Sequence, residues 1–166
     1  MSSSVPQFRQ ESPNTCALAC LRMVLAAFGT SVDEATLVRQ ATMTPTGTDI
    51  LEVERLGRAY GLIAEVRRAT VEELQELLDA GCLAIVYLNR RILNARNIRS
   101  ARRSIQEALI HCVVPTRFTA QFVTYHDPLA DPPQRRSIAR FAGAHAHLDS
   151  PCVVCRKPDD GEDQLV

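Results

Sequence analysis

The chain has no apolar run of membrane length, since none of its segments reaches the roughly 18 consecutive apolar residues of a transmembrane helix. Its first ten residues, MSSSVPQFRQ, have neither the basic nor the apolar region of a secretory signal. The expected location is therefore the cytoplasm. There the six cysteines should be free thiols rather than a disulfide framework.

Lysine is nearly missing as well, because Lys157 is the single lysine and arginine supplies almost all of the positive charge. We interpret this as the coding bias of a GC-rich bacterial genome, and no nucleic-acid partner is expected. An arginine cluster in the middle of the chain could contact phosphates or an acidic partner, but a solvated helix face is the favoured interpretation. The cluster consists of Arg90, Arg91, Arg96, Arg99, Arg102 and Arg103.

The sequence also contains no internal repeat and no low-complexity linker. Its 166 residues, 46% of them hydrophobic, carry equal numbers of acidic and basic side chains. This length and composition predict a single domain, residues 1–166, that can bury a proper hydrophobic core. Residues 1–6 and 158–166 are expected to be flexible tails.

Hydrophobic periodicity predicts helices mainly in the first half of the chain and strands mainly in the second. The predicted helices are residues 16–28, 33–41, 50–60, 70–78 and 137–146, and the predicted strands are 62–69, 82–89, 111–118, 121–128 and 151–157. Capping signals mark three helix starts: Ser31 with Glu34, Thr48 or Asp49, and Thr70 with Glu73. This order predicts an α+β fold in which N-terminal helices pack on a C-terminal antiparallel sheet.

The segment QESPNTCALACLRMVL is the first candidate for chemistry. It places Gln10 six residues before Cys16, and Cys16 opens the first predicted helix. A thiol at a helix N-terminus ionises more readily, because unpaired N–H groups give that end a partial positive charge. Cys16 is therefore the candidate nucleophile, whereas Cys20, one turn further along the helix, is expected to face the core.

A catalytic thiolate also needs a base, a group that orients the base and a donor for the oxyanion. His111 heads the predicted strand HCVVPTRF, and Asp127 ends the next strand, QFVTYHDP. If the two strands form a hairpin, the imidazole and the carboxylate come within reach of each other, while His126 points to the opposite face. The side-chain amide of Gln10 could join the Cys16 N–H in stabilising an oxyanion.

With these residues in place, the sequence resembles the bacteriocin-processing, double-glycine leader peptidases, a family of papain-like cysteine peptidases. The segments GTDILEVERLGRAYGL and CLAIVYLN also resemble the family pattern, and the resemblance runs from about residue 5 to residue 157. It implies a papain-like fold and a catalytic set in which Cys16 is the nucleophile and His111 the general base. In the same set Asp127 orients the histidine and Gln10 donates to the oxyanion.

Two departures from the family pattern bear on specificity. The family usually has Asp-Cys-Gly at the nucleophile, whereas this chain has Thr15, Cys16 and Ala17. The methyl group of Ala17 could narrow the cleft. The arginine-rich segment 90–108 resembles an insertion beside His111, and it could form a lid, a partner surface or a wall that selects substrates.

The resemblance implies a cysteine peptidase that needs no cofactor and cleaves a peptide or protein substrate, for example by removing a double-glycine leader. Family members are commonly fused to an ABC exporter. This chain carries no transmembrane segment or nucleotide-binding domain, so it is expected to act alone or beside a separate exporter. The first alternative is an inactive peptidase-like domain that binds leader peptides. The second is a zinc or nucleic-acid binding module.

Zinc ligands could come from the segment HAHLDSPCVVC, which contains His145, His147, Cys152 and Cys155. However, the two cysteines lie three residues apart in a predicted strand. Residues at that spacing project to opposite faces, which opposes joint ligation. No metal is therefore expected.

Overall fold

The structure, a computed structural model, describes residues 4–95 and 109–159. Within these ranges the elements follow in the order α1 (Cys16–Ala27), α2 (Glu34–Gln40), β1 (Met43–Thr44), β2 (Gly47–Thr48), α3 (Ile50–Ala59), β3 (Ile63–Arg68), α4 (Val71–Asp79), β4 (Leu83–Asn89), α5 (Arg90–Leu93), β5 (Ile110–Phe118), β6 (Phe122–His126), β7 (Gln134–Ser137), α6 (Ile138–Ala146) and β8 (Pro151–Arg156).

Six of the strands form one antiparallel sheet in the order β3-β8-β4-β5-β6-β7. Strands β1 and β2 form a separate small hairpin. The last strand, β8, lies between β3 and β4, so the end of the described chain completes the middle of the sheet. The predicted α+β class, with N-terminal helices on an antiparallel sheet, is confirmed.

Helices cover both faces of this sheet. Helix α1 is the centre of the first hydrophobic cluster, where its buried residues, such as Leu21, pack with residues of α2 and α3 and with one face of the sheet. The second cluster lies on the other face and includes Leu74 of α4 and Phe141 of α6. All seven residues of β4 are buried between the two clusters, which explains why CLAIVYLN is continuously apolar instead of alternating.

The helix starts test the predicted caps. Asp49 caps α3, and Thr70 with Glu73 forms the predicted capping box of α4. The capping box predicted for Ser31 and Glu34 is wrong, because α2 begins only at Glu34 and its N-cap is Asp33. The Asp33 carboxylate accepts the Thr36 N–H at 2.7 Å, whereas the Glu34 carboxylate turns away and accepts the N–H of Glu11 at 3.0 Å.

Some elements were not predicted. Strand β7 is polar and lies at the edge of the sheet, where little apolar surface is buried and the sequence carries little signal. The short helix α5 begins the arginine-rich segment, but residues 96–108 lie outside the described residues, and most of the predicted solvated face lies there with them.

Parts of the expected tails, residues 1–3 and 160–166, are also outside the described ranges. Val5, within the segment expected to be a tail, contacts the body of the protein because its carbonyl lies 2.9 Å from Nε2 of His126. None of the helices in the described part of the chain is long and apolar enough to cross a membrane.

Candidate active site

Cys16 is the first residue of α1, and its thiol is half-buried. The preceding residue, Thr15, closes a loop instead of capping the helix: its hydroxyl donates to the Ser12 carbonyl at 2.9 Å and accepts the Ser12 N–H at 3.2 Å. Within the described residues no side chain caps α1. The positive end of the helix dipole therefore acts directly on the Cys16 sulfur.

His111 and Asp127 meet across the β5–β6 hairpin, as the sequence predicted. Val114 pairs with His126, so Asp127 follows opposite Val113 and lies diagonally across from His111 on the same face. His111 Nε2 lies 2.7 Å from Asp127 Oδ1. The same carboxylate oxygen accepts the N–H of Leu129 at 2.8 Å, which fixes its orientation.

Helix α1 packs against β5, and this packing brings Cys16 close to His111. The hydrogen bond with the Cys112 thiol is the largest effect on the pKa of Cys16, and it lowers that pKa. Burial opposes it, while the hydrogen bond and the charge of His111 add to it, and together these effects lower the pKa of Cys16 to about 4. Because Asp127 occupies Nε2 of His111, the nitrogen left for Cys16 is Nδ1.

The pKa of His111 is shifted in the opposite direction, upward. Burial disfavours its charged form, but hydrogen bonds with Asp127 and Cys16, and their negative charges, raise the pKa of His111 to about 9. Burial alone would raise the pKa of Asp127 as well, yet the hydrogen bond and charge of His111 bring it below its ordinary value. Between about pH 4 and about pH 9 the site therefore holds a thiolate and an imidazolium.

Two further thiols lie close to Cys16 and stay neutral. Burial is the main effect that raises the pKa of Cys112 well above its ordinary value, and contact with Cys16 adds to the shift. Burial likewise raises the pKa of Cys20, which is fully buried in the first cluster as expected. A neutral Cys112 can donate its S–H to the Cys16 thiolate. Cys112 was not predicted as a site residue, because strand alternation places its side chain on the face opposite that of its neighbour His111.

Gln10 lies in the loop before α1, close to the Asp127 segment, and its backbone N–H donates to the Pro128 carbonyl at 2.9 Å. Its side-chain Nε2 donates to the Ser12 carbonyl at 2.7 Å. The amide nitrogen has two hydrogens, so one remains free for another acceptor. The amide oxygen of Gln10 is buried and has no hydrogen-bond partner in the described part of the chain.

Ala17, the departure from the family pattern next to the nucleophile, is buried in the first hydrophobic cluster. Only 3% of its surface is exposed, so its methyl group fills the interior and does not narrow an open cleft. The loop ahead of α1 is also held from α2, since Glu34 binds the N–H of Glu11. This role of Glu34 was not predicted, because its spacing from Ser31 resembles a capping box.

The proposed zinc ligands do not converge. Both ring nitrogens of His145 contact carbonyls, those of Tyr87 at 2.8 Å and Ala69 at 2.9 Å. Cys152 packs in the second cluster and Cys155 in the first, so the two thiols lie on opposite faces of the sheet. No group of three or more potential metal ligands was found within residues 4–95 and 109–159.

A fold of helices on an antiparallel sheet, with a cysteine at a helix start facing a histidine, is that of the papain-like peptidases. Residues 4–95 match the profile of the Peptidase C39 family, which covers more than half of the chain. The chain belongs to this family. The matched segment contains Gln10 and Cys16 and ends before His111 and Asp127. A comparison with curated protein sequences finds no match.

Solved structures share the fold over nearly the whole chain. A C39-like peptidase from Bacillus anthracis is 18% identical, covers 95% of this chain and 97% of its own, and has a TM-score of 0.75. A double glycine motif protease from an AMS/PCAT transporter, solved in complex with the leader peptide, is 21% identical, with coverages of 95% and 94% and a TM-score of 0.71.

The peptidase domain of Streptococcus ComA, a bifunctional ABC transporter involved in quorum sensing, is 17% identical. It matches 93% of this chain and 100% of its own, also with a TM-score of 0.71. The TM-scores show that these proteins share one fold with this chain, and at identities this low the likeness shows the fold alone.

Proposed function

We propose that the protein is a cysteine peptidase in which Cys16 is the nucleophile and His111 the general acid and base. Asp127 orients the histidine, and Gln10 donates to the oxyanion. One observation carries the proposal: Cys16 lies at the uncapped start of α1 with its pKa lowered to about 4, beside a histidine that is hydrogen-bonded to Asp127 at 2.7 Å.

In the first step the Cys16 thiolate attacks the carbonyl carbon of the scissile peptide bond, and the carbonyl π electrons move to the oxygen. The resulting oxyanion accepts hydrogen bonds from the backbone N–H of Cys16 and from Nε2 of Gln10. His111 then transfers its Nδ1 proton to the leaving amine as the C–N bond breaks, which leaves a thioester on Cys16 and a neutral imidazole.

In the second step the neutral His111 takes a proton from water, and the hydroxide equivalent attacks the thioester carbonyl. The C–S bond breaks, the acid product leaves, and the thiolate–imidazolium pair is restored. Asp127 remains ionised throughout, since its role is to hold the ring and to stabilise its charge. Every step uses residues of this chain and water.

The proposed substrate is a precursor peptide with a double-glycine leader, which would be cut in the cytoplasm before export by an ABC transporter. Two structural neighbours, a double glycine motif protease and the ComA peptidase domain, come from transporters, and this supports the choice of substrate class.

A second candidate function is leader-peptide binding without cleavage. It is favoured by one contact, the donation of Gln10 Nε2 to the Ser12 carbonyl at 2.7 Å. If this bond keeps the second amide hydrogen of Gln10 turned away from the oxyanion, the oxyanion receives one donor fewer. Such a site would bind peptide and turn it over poorly.

The test uses a synthetic peptide that contains a Gly-Gly leader terminus followed by several further residues, with products identified by mass spectrometry. The peptidase proposal expects cleavage after Gly-Gly by the wild-type protein and by Cys82→Ala, and none by Cys16→Ala. Saturable binding of the intact peptide without cleavage would support the binding domain instead. Cleavage at another bond would keep the peptidase and reject the leader as substrate.

A further inference from the structure

Residues 5–10, which we name the N-terminal strap, lie along residues 126–130, a segment that begins at the last residue of β6 and contains Asp127. The strap has no helix or strand of its own. It is held instead by hydrogen bonds to this segment. The contact therefore joins two parts of the chain that each supply a residue to the proposed site.

His126 holds the strap at its first end. Its Nδ1 lies 2.8 Å from Oε1 of Gln7, and its Nε2 lies 2.9 Å from the carbonyl of Val5. An oxygen acceptor thus faces each ring nitrogen, so the neutral ring donates to one of them and the imidazolium to both. Only 7% of the surface of His126 is exposed, which shields these bonds from water.

The other bonds continue along the strap toward Gln10. Gln7 Nε2 donates to the carbonyl of Ala130, which fixes the orientation of its amide, because that carbonyl can only accept. The N–H of Gln10 donates to the carbonyl of Pro128 at 2.9 Å. Phe8 packs on the first cluster, and the guanidinium of Arg22 in α1 lies 4.1 Å from the centre of its ring.

Different residues of the segment 126–130 contact the strap and the proposed site. Residues 126, 128 and 130 bind the strap, whereas Asp127 turns to His111 and receives the N–H of Leu129. The chain after His126 is a turn, closed by the N–H of Ala130 donating to the carbonyl of Asp127 at 3.0 Å. The turn leaves the carbonyls of residues 128 and 130 available to the strap. One short segment therefore orients the catalytic histidine on one side and fixes the loop that contains Gln10 on the other.

We propose that His126 and Gln7 are positioning residues that clamp the strap and thereby hold Gln10 at the oxyanion. The proposal rests on the function proposed above, because Gln10 matters only where an oxyanion forms. Without the clamp, the strap would keep the bond of Gln10 to Pro128 and the packing of Val5 and Phe8 on the first cluster, but it would lose its polar bonds to residues 126 and 130. Cys16, His111 and Asp127 would keep their own contacts, which do not involve the strap.

The first experiment measures hydrogen exchange at the Gln10 amide in His126→Ala and Gln7→Ala. We expect exchange of the Gln10 backbone N–H to accelerate by about tenfold or more. Backbone amides in the middle of α1 should exchange as slowly as the global stability of each variant allows. His126→Gln retains one donor and should recover part of the protection. Gln121→Ala, in the turn at the far end of the β5–β6 hairpin, is the matched control and should change nothing.

The second experiment measures turnover of the Gly-Gly peptide. Each clamp variant should lower kcat by about tenfold to a hundredfold, with KM little changed, because misplacing a donor affects mainly the transition state. The rate at which iodoacetamide alkylates Cys16 should stay at the wild-type value. In the Gln10→Ala background, His126→Ala should cost less than about a further twofold, since its effect acts through Gln10.

Unchanged exchange at Gln10 in both clamp variants would overturn the proposal, and so would equal losses of kcat with and without Gln10. A loss of the Cys16 alkylation rate that parallels the loss of kcat would mean that His126 supports the fold as a whole, and it would also overturn the proposal. If the wild-type protein does not cut the peptide, the proposed function fails, while exchange at Gln10 still decides whether the clamp holds the strap.

Discussion

The Nε2 atom of His111 lies 2.7 Å from Oδ1 of Asp127, and both side chains are almost completely buried. This contact sets the ring with Nδ1 toward Cys16, and it supplies a negative charge where water is largely excluded. The protonated histidine is stabilised for this reason, and its pKa of about 9 lies far above the ordinary value of 6.5.

Replacement of Asp127 by asparagine should remove that charge while keeping the shape of the side chain. We expect the pKa of His111 to fall from about 9 toward 6.5 or below, because burial then acts with less opposition. NMR titration of the His111 ring measures this directly. Turnover should fall by at least about tenfold, since the ring loses its orienting partner. An unchanged titration would show that Asp127 does not control the histidine.

The reactivity of Cys16 should depend on pH in a way that a free thiol does not. The thiolate is lost as the pH falls through about 4, so alkylation by iodoacetamide should be fast at neutral pH and decline only below about pH 5. Cys16→Ala should remove the fast phase. Cys152, with its pKa raised to about 12 by burial, serves as an internal slow control. An apparent pKa near 9.0 for Cys16 would mean that it is not activated.

Turnover should show a second limb at high pH. His111 must be protonated to donate to the leaving amine, so the rate should fall as the pH rises through about 9. The profile of kcat/KM against pH is therefore expected to be a broad bell with limbs near about pH 4 and about pH 9. A profile centred on a single ionisation near neutral pH would contradict the thiolate–imidazolium pair.

Cys112 should matter for ionisation of the nucleophile. Cys112→Val removes the S–H donor at similar volume, so the pKa of Cys16 should rise and the acid limb of alkylation should move to higher pH. Cys112→Ser keeps a hydroxyl donor and should shift the limb less. Circular dichroism and thermal unfolding confirm that both variants fold. The same acid limb in Cys112→Val as in the wild type would assign the activation to His111 and the helix alone.

The two candidate caps of α2 can be separated by stability. Asp33→Ala removes the carboxylate that accepts the Thr36 N–H at 2.7 Å and should lower the free energy of unfolding, because α2 loses its N-cap acceptor. Ser31→Ala should change it by less than about 0.5 kcal/mol, as is usual for a surface position outside such a motif. Urea unfolding of both variants decides the matter. A larger loss for Ser31→Ala would restore the cap predicted from sequence.

Local signals in the sequence predicted most elements of the fold, but not the β1–β2 hairpin, the edge strand β7 or the short helix α5. The Thr70 and Glu73 box, the apolar run of β4 and the spacing of His111 and Asp127 depend on residues close together in the chain, where backbone geometry leaves few alternatives. The pairing of Cys16 with His111 was predicted from the chemical needs of a catalytic thiolate and from the family resemblance, and not from their spacing in the chain. Local pattern says nothing about which strand a distant helix packs against.

What the sequence determined by itself is the α+β class, the helix that opens at Cys16 and the hairpin that pairs His111 with Asp127, because periodicity and turn spacing are local properties. Only the tertiary structure placed Cys112 against the nucleophile and moved the cap of α2 from Ser31 to Asp33. It also laid the strap on the segment after β6. Those contacts depend on how α1 and the strap pack on the sheet, and packing is decided by the shape and burial of the whole core.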